Sequence, residues 1–332
     1  MLDGLTHEQQ MLQESTRRFV DEEMLPHEDL VDREGHVPIE LGRQIEFRAK
    51  DVGLFAANLP ENVGGGGLDY TSMAVIEREF GRTSHALHAW VARPTELLLA
   101  TEGAQKEQYL APCVTGAKRE LFALSEPEAG SDIMSMKSNA KRDGKDWILT
   151  GSKHFISGPV MPDFAIVFAA TGHDETPRGP RPRITAFLVD VGMPGFDIQV
   201  GYNCVSYRGY LNFKLDFDNV RLSPDHILGE EGRGLELSGK WLGMGRIWVG
   251  ATCCGKAERL FEMATSWAAE RKQFGQAIGK FQATGFKLAD MATQIEAAEL
   301  LTQHASQMIN EGKNCARPIC WSKTPSAKLI KV

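Results

Sequence analysis

The sequence predicts an α+β chain built in three successive parts: helical, then β, then helical again. Apolar residues recur at helical spacing up to about residue 118 and again from Gly232. Between them, short apolar runs are cut by Gly and Pro turns, as in a small β domain. The 332 residues are 42% hydrophobic and 24% charged, which is globular composition and enough for more than one core.

Each element has its own signal. Thr6 and Gln9 form a capping-box pattern, and Leu12, Phe19 and Val20 then fall on one helical stripe. Residues 39–52 and 72–82 repeat the helical period, and 104–110 opens another short helix. Residues 137–150 predict a hairpin, because the turn dipeptide Asp143-Gly144 is followed by Trp147-Ile148-Leu149. Apolar runs at 164–170 and 184–189 predict two further strands. Leu211, Phe213, Leu215 and Phe217 alternate with polar residues, as a half-buried strand does. In the last part, Leu260, Phe261, Ala264, Trp267 and Ala268 make one helical face, and Leu288, Met291, Ile295, Ala298 and Leu301 make another. After Lys313 the period stops, with Pro318 and Pro325 breaking the pattern.

The formal charge of −7, from 37 basic and 44 acidic side chains, argues against a nucleic-acid or anionic-membrane binder. No run approaches the length of a membrane span. The N-terminus has neither a basic nor an apolar leader pattern, which favours the cytoplasm over the mitochondrial matrix. The six cysteines (113, 204, 253, 254, 315 and 320) and nine histidines show no metal-binding spacing, so no metal is expected and the thiols read as reduced. Gly64 to Gly67 invite a phosphate-loop reading, but no Lys-Ser/Thr follows; a turn packed near the substrate mouth is the better reading. No G-x-G-x-x-G opens a βαβ unit, so a nicotinamide site is unsupported.

The chemistry-bearing signal is Phe122-Ala-Leu-Ser125-Glu-Pro-Glu-Ala-Gly130-Ser131-Asp132, followed by Gly151-Ser-Lys-His-Phe155-Ile-Ser157-Gly158. An apolar strand here meets a Gly-Ser-Asp turn. Gly130 lets backbone approach a ligand, and Ser125 and Ser131 offer hydroxyls, which suits a flat heteroaromatic ring or a phosphate. Together the two segments resemble the middle-domain signatures of the acyl-CoA dehydrogenase family. The stretches from Leu59 to Asp69 and Val220 to Gly229, then Gly232-Arg-Gly234, Glu270-Arg-Lys-Gln-Phe-Gly275 and Phe281-Gln282, match in family-like order up to about Lys313.

The resemblance implies an N-terminal helical domain (1–118), a middle β-barrel or sandwich domain (119–231), an incomplete C-terminal helical bundle (232–313) and an atypical tail (314–332). It also implies FAD between the β domain and the bundle, in contact with a second subunit. Phe122, Leu124 and Ser125 would line the isoalloxazine, with Gly130 and Ser131 beside them and Phe155, Ile156 and Ser157 at further ring contacts. Many relatives carry Trp where Phe155 stands, so an aromatic wall is kept and an indole N–H lost. Arg271 would reach the pyrophosphate across the dimer through its planar fork, with Gln273, Phe274 and Gln282 at neighbouring contacts. Ser131, Arg181 and Arg246 would meet the acyl-CoA.

The implied reaction converts an acyl-CoA to a trans-2-enoyl-CoA. A carboxylate takes the α-proton, and hydrogen bonds to the thioester carbonyl stabilise the enolate charge. The base is not identified. Relatives place it beyond the present C-terminus or one residue before the position of Arg246, where this chain has Gly245. Glu126, Glu128 and Asp132 read as turn carboxylates. The expectation is therefore a truncated or frame-shifted dehydrogenase. The competing readings are a non-catalytic FAD- or CoA-binding remnant, or a flavin oxidase or hydroxylase of the same fold. The partners implied are an electron-transfer flavoprotein and further copies of the chain, as a homodimer or homotetramer.

Overall fold

The computed structural model describes residues 4–91, 93–177 and 179–313. The tail expected to be atypical, 314–332, lies outside them. The order is helical, β, helical. Helices α1 (His7–Glu23), α2 (Glu28–Glu34), α3 (Ile39–Asp51), α4 (Tyr70–Phe80), α5 (His85–His88) and α6 (Ala111–Thr115) come first. Strands β1 (Glu120–Ala123), β2 (Asn139–Asp143), β3 (Asp146–Gly158), β4 (Phe164–Thr176), β5 (Gly179–Asp190), β6 (Phe196–Val200) and β7 (Leu211–Leu222) follow. Helix α7 (Gly234–Glu270), a hairpin of β8 (Lys272–Gln273) and β9 (Gln276–Ala277), and helix α8 (Gln282–Asn310) complete the described chain. Packing divides it into two compact units, 4–28 with 68–88 and 242–313, and 29–67 with 89–241.

In the first unit, α1 opens with the capping box read from the sequence. The Thr6 hydroxyl accepts from the Gln9 N–H, and the Gln9 side chain accepts from the Thr6 N–H. Helix α4 is buried on nearly every side, including Glu77, Arg78 and Glu79. A helix buried all round needs partners for its charges. Arg78 donates to Glu299 of α8 at 2.7 Å, to Glu258 of α7 at 2.7 Å and to its neighbour Glu79 at 3.0 Å. Glu79 also accepts from Gln13 and pairs with Arg17, both on α1. Burial works to lower the Arg78 pKa, but Glu299, Glu258 and Glu79 outweigh it and hold the guanidinium firmly charged.

The same helix crosses α7 at two glycines. A Cβ on Gly255 would lie 1.7 Å from the Arg78 carbonyl oxygen, and one on Gly81 would lie 2.0 Å from that of Thr252. Backbone meets backbone there, so no side chain fits without moving a helix.

In the second unit the strands form one sheet in the order β1-β4-β2-β3-β7-β6, with β5 pairing on β4. β1 runs parallel to β4, while β3, β7 and β6 pair antiparallel. One core gathers Leu121, Trp147, Leu149, Ile156, Phe187, Phe213 and Leu215 among others. β4 begins with a wholly buried run, Phe164 to Ala169, as a strand covered on both faces does. Pairing then carries β4 and β5 past their apolar cores into polar sequence, further than the runs at 164–170 and 184–189 indicated, because the backbone ladder continues after burial ends. The hairpin turn lies at Gly144-Lys145, one residue beyond the Asp143-Gly144 dipeptide, since Asp143 itself pairs with Asp146.

Replacing Gly255 with Ala should destabilise the protein by about 1–3 kcal/mol through forced helix separation. Thermal melts of Gly255→Ala and of the control Gly239→Ala, where a Cβ meets open space, check this. Equal melting temperatures would remove the crossing argument.

Candidate cofactor site

The site in the second unit is shaped by a fault in β3. Its pairing with β7 slips between Lys153 and Ile156, which makes a bulge at His154-Phe155. The alternation of sides breaks there. Lys153 and Ile156 both point inward, fully buried and 2% exposed, while Phe155 turns out at 57% exposure. Phe155 also has φ of 54°, a left-handed conformation that costs a bulky L-residue free energy.

Lys153 ties this bulge to the other signature. Its ammonium donates to the Leu124 carbonyl at 3.0 Å and to Glu126 Oε1 at 2.7 Å. Glu126, 3% exposed, also accepts from the N–H groups of Lys137 and Ser138. The His154 N–H donates to the Ser125 carbonyl at 3.0 Å. Burial alone would raise the Glu126 pKa, but the Lys153 ammonium and the hydrogen bonds from Ser138 and Lys137 hold it below the ordinary value of 4.5. Burial draws Lys153 the other way, downward, against the pull of Glu126.

Around this clamp the sequence-predicted residues take distinct places. Phe122 lies on β1, its ring 4.2 Å from that of Trp241 and 5.1 Å from Phe168. Leu124 is buried and Ser125 half-buried. Ile156 packs in the sheet core, opposite Phe213 of β7. Ser157 is exposed, and its hydroxyl accepts from Asn212 at 3.2 Å. Gly130 and Ser131 are exposed, and a Cβ on Gly130 would meet open space with no left-handed φ to forbid it. Arg181 stands on β5 and reaches the Met134 sulfur at 4.0 Å. Met134 lies on the turn that Asp132 caps, so Arg181 and Ser131 share one neighbourhood.

The first unit holds the remaining candidates. Arg246 is exposed on α7. The segment after α7 forms a two-residue hairpin that helical periodicity did not reveal. Phe274 and Gly275 sit at its tip with φ of 52° and 78°, and Phe274 is 94% exposed. Positive φ at both central residues is the turn geometry that suits the strand twist. Arg271 and Gln273 are exposed at its base, and Gln282 opens α8. Among the described residues, Phe155 and Phe274 are two of the four non-glycine residues with positive φ, and both are exposed aromatics.

Sequence reasoning missed four neighbours. Tyr202 packs on Phe155 at 4.9 Å, and the two half-exposed rings make one aromatic ledge. The buried His154 Nδ1 has no hydrogen-bond partner among the described residues, and its ring lies 4.1 Å from Phe155. Trp241 backs Phe122. Lys153 had a readable signal: it continues the inward parity of Trp147 and Leu149, and a charge at core parity demands a buried partner. The glycine run at 64–67 is not a phosphate loop. The N–H groups of Gly65, Gly66 and Gly67 donate to the carbonyls of Pro60, Ala56 and Leu59.

An exposed aromatic ledge beside hydroxyls and a glycine turn suits a flat heteroaromatic ring. The sequence matches the family models for the N-terminal domain (residues 6–117), middle domain (121–220) and C-terminal domain (232–331) of acyl-CoA dehydrogenase. Acyl-CoA dehydrogenase of Bacillus subtilis is 34% identical over 326 residues, 96% of this chain and 83% of that protein. The caffeyl-CoA reductase-Etf complex subunit CarC of Acetobacterium woodii is 32% identical over 324 residues, 96% and 83% of the two chains. The structure of butyryl-CoA dehydrogenase from Megasphaera elsdenii superposes with a TM-score of 0.86 at 31% identity, covering 99% of this chain and 86% of that one.

The chain belongs to the acyl-CoA dehydrogenase family, FAD-dependent oxidoreductases acting on CH–CH bonds. The match reaches residue 331, which corrects the expectation that similarity ends near Lys313. Glu126→Gln should destabilise the protein by about 3–5 kcal/mol at pH 7, because it leaves Lys153 buried without its counter-charge. The Glu126 carboxylate is charged above 4.5 and contributes stability there, and that contribution is lost as pH falls through its lower folded pKa. The melting-temperature gap between wild type and Glu126→Gln should therefore close below pH 4.5. A gap constant from pH 7 to 3 would count against the pairing.

Proposed function

We propose that the second unit cradles the isoalloxazine with Phe122, Leu124, Ser125, Gly130, Ser131, Phe155, Ile156 and Ser157. The observation that carries this is the exposed Phe155 ring, held in a strained conformation by a bulge on a clamped strand. Strain of that kind persists where the surroundings over-determine it, and it clusters at ligand clamps. Bound FAD supplies the acceptor for the β-hydrogen of an acyl-CoA thioester.

The chain's own part is to bind, orient and exclude water. Ser125 offers a hydroxyl and Gly130 an open approach, while Phe155 and Tyr202 shield a ring face. Ser131 and Arg181 meet the CoA end, and the charge of Arg246 supports the thioester region. Arg271, with Gln273, Phe274 and Gln282, belongs to the cofactor site of a second copy. Its guanidinium and the 94% exposed Phe274 stand ready for a partner. Leu260, Met263 and Trp267, each about half exposed or more at helical spacing on α7, are an apolar stripe that assembly into a homodimer or homotetramer would cover.

No carboxylate of the signature loop is assigned as base. Glu126 is committed to Lys153 and two backbone N–H groups, and Asp132 caps its turn. An electron-transfer flavoprotein is the proposed acceptor, supported by the name of the CarC relative. A cytoplasmic location is proposed on the likeness to a bacterial protein. No described helix is long and apolar enough to cross a membrane.

Anaerobic titration with a panel of acyl-CoAs should bleach the oxidised flavin band of the purified chain, and electron-transfer flavoprotein should reoxidise it faster than oxygen does. A spectrum that shifts without bleaching would mean binding without turnover. Rapid reoxidation by oxygen alone would favour an oxidase. Arg271→Ala should weaken FAD binding by about 1.5–3 kcal/mol, the worth of charge-assisted hydrogen bonds. Unchanged FAD affinity in equilibrium dialysis would remove Arg271 from the site.

A further inference from the structure

We infer that Lys153 is a positioning residue for the cofactor: it sets the spacing between the Ser125 loop and the Phe155 bulge, touching neither FAD nor substrate. The inference rests on the proposed cradle and adds a residue to it.

Its geometry is specific. Lys153 is fully buried, and both of its hydrogen bonds go to the loop on either side of Ser125, to the Leu124 carbonyl and to the Glu126 carboxylate. The next residue, His154, holds Ser125 itself through its N–H. Three consecutive loop residues are thus fixed by two consecutive strand residues. Immediately after them the strand bulges and turns Phe155 outward. A buried ammonium needs hydrogen bonds beyond its counter-charge, and here the second one goes to a main-chain carbonyl of the loop. Apolar residues of similar volume often serve packing as well or better. The Leu124 bond is the part of the arrangement that apolar packing cannot reproduce, and it acts on the backbone that carries Ser125.

The test separates stability from positioning. Lys153→Met removes the donor and leaves Glu126 charged. The double variant Lys153→Met/Glu126→Gln removes both charges but does not restore the bond to Leu124. FAD affinity and the flavin absorption spectrum are measured on the full chain well below its melting temperature, with melting temperature and circular dichroism alongside. Expected for Lys153→Met is a lower melting temperature, FAD binding weakened at least tenfold, and a shifted flavin band. Expected for the double variant is a melting temperature near that of wild type, with FAD binding still at least tenfold weak.

Wild-type affinity and spectrum in Lys153→Met would overturn the inference, as would recovery of FAD binding together with stability in the double variant. Failure of both variants to fold would make the pair a folding element and overturn a role in positioning. A wild-type chain that takes up no FAD would instead overturn the cradle itself, and the inference with it.

Discussion

The ammonium of Lys153 is the constraint around which the second unit is arranged. A charge with no exposed surface is tolerated only with an opposite charge and satisfied hydrogen bonds. Glu126 supplies the charge, 27 residues away in sequence, and the loop must fold inward to bring it. That inward path explains why Glu126 receives the N–H groups of Lys137 and Ser138: its oxygens need partners beyond the lysine, and the chain turning into β2 provides them. The position of Ser125 between two anchored neighbours follows from the same requirement.

The bulge is the second consequence. Lys153 must face the interior to reach Glu126, and Ile156 must face it to fill the sheet core. They are three residues apart, and strict alternation puts such residues on opposite faces. One extra residue between them reconciles the two demands, and the His154-Phe155 bulge is that residue. The exposure and left-handed backbone of Phe155 are therefore imposed from inside. The site borrows its strained aromatic from a conflict in the core.

The helical unit meets a buried charge differently. Arg78 sits on a helix with almost no exposed side, yet it has three carboxylate partners drawn from three helices. The close crossing at Gly81 and Gly255 brings α4 and α7 near enough for Glu258 to reach it. In both units a buried cation organises segments far apart in sequence. In the first it ties helix to helix, and in the second it ties a strand to a loop.

This contrast shows what the sequence could disclose. The order helical, β, helical was legible because burial repeats locally, at spacing near 3.6 in α1 and α3 and near two in β7. Glu126 was legible as a turn carboxylate, but its partner was not, because the pairing spans 27 residues and leaves no local period. The Phe274-Gly275 hairpin escaped notice because two-residue strands are too short to show alternation. Phe155 was legible as a ring from its motif, yet its outward direction was not, since that depends on Ile156 and Lys153 competing for one face. Motifs carry residue identity, whereas direction arises from packing on the other side of the strand. A cofactor wall of this kind is accordingly specified as much by the buried residues on its reverse face as by the residues that form it.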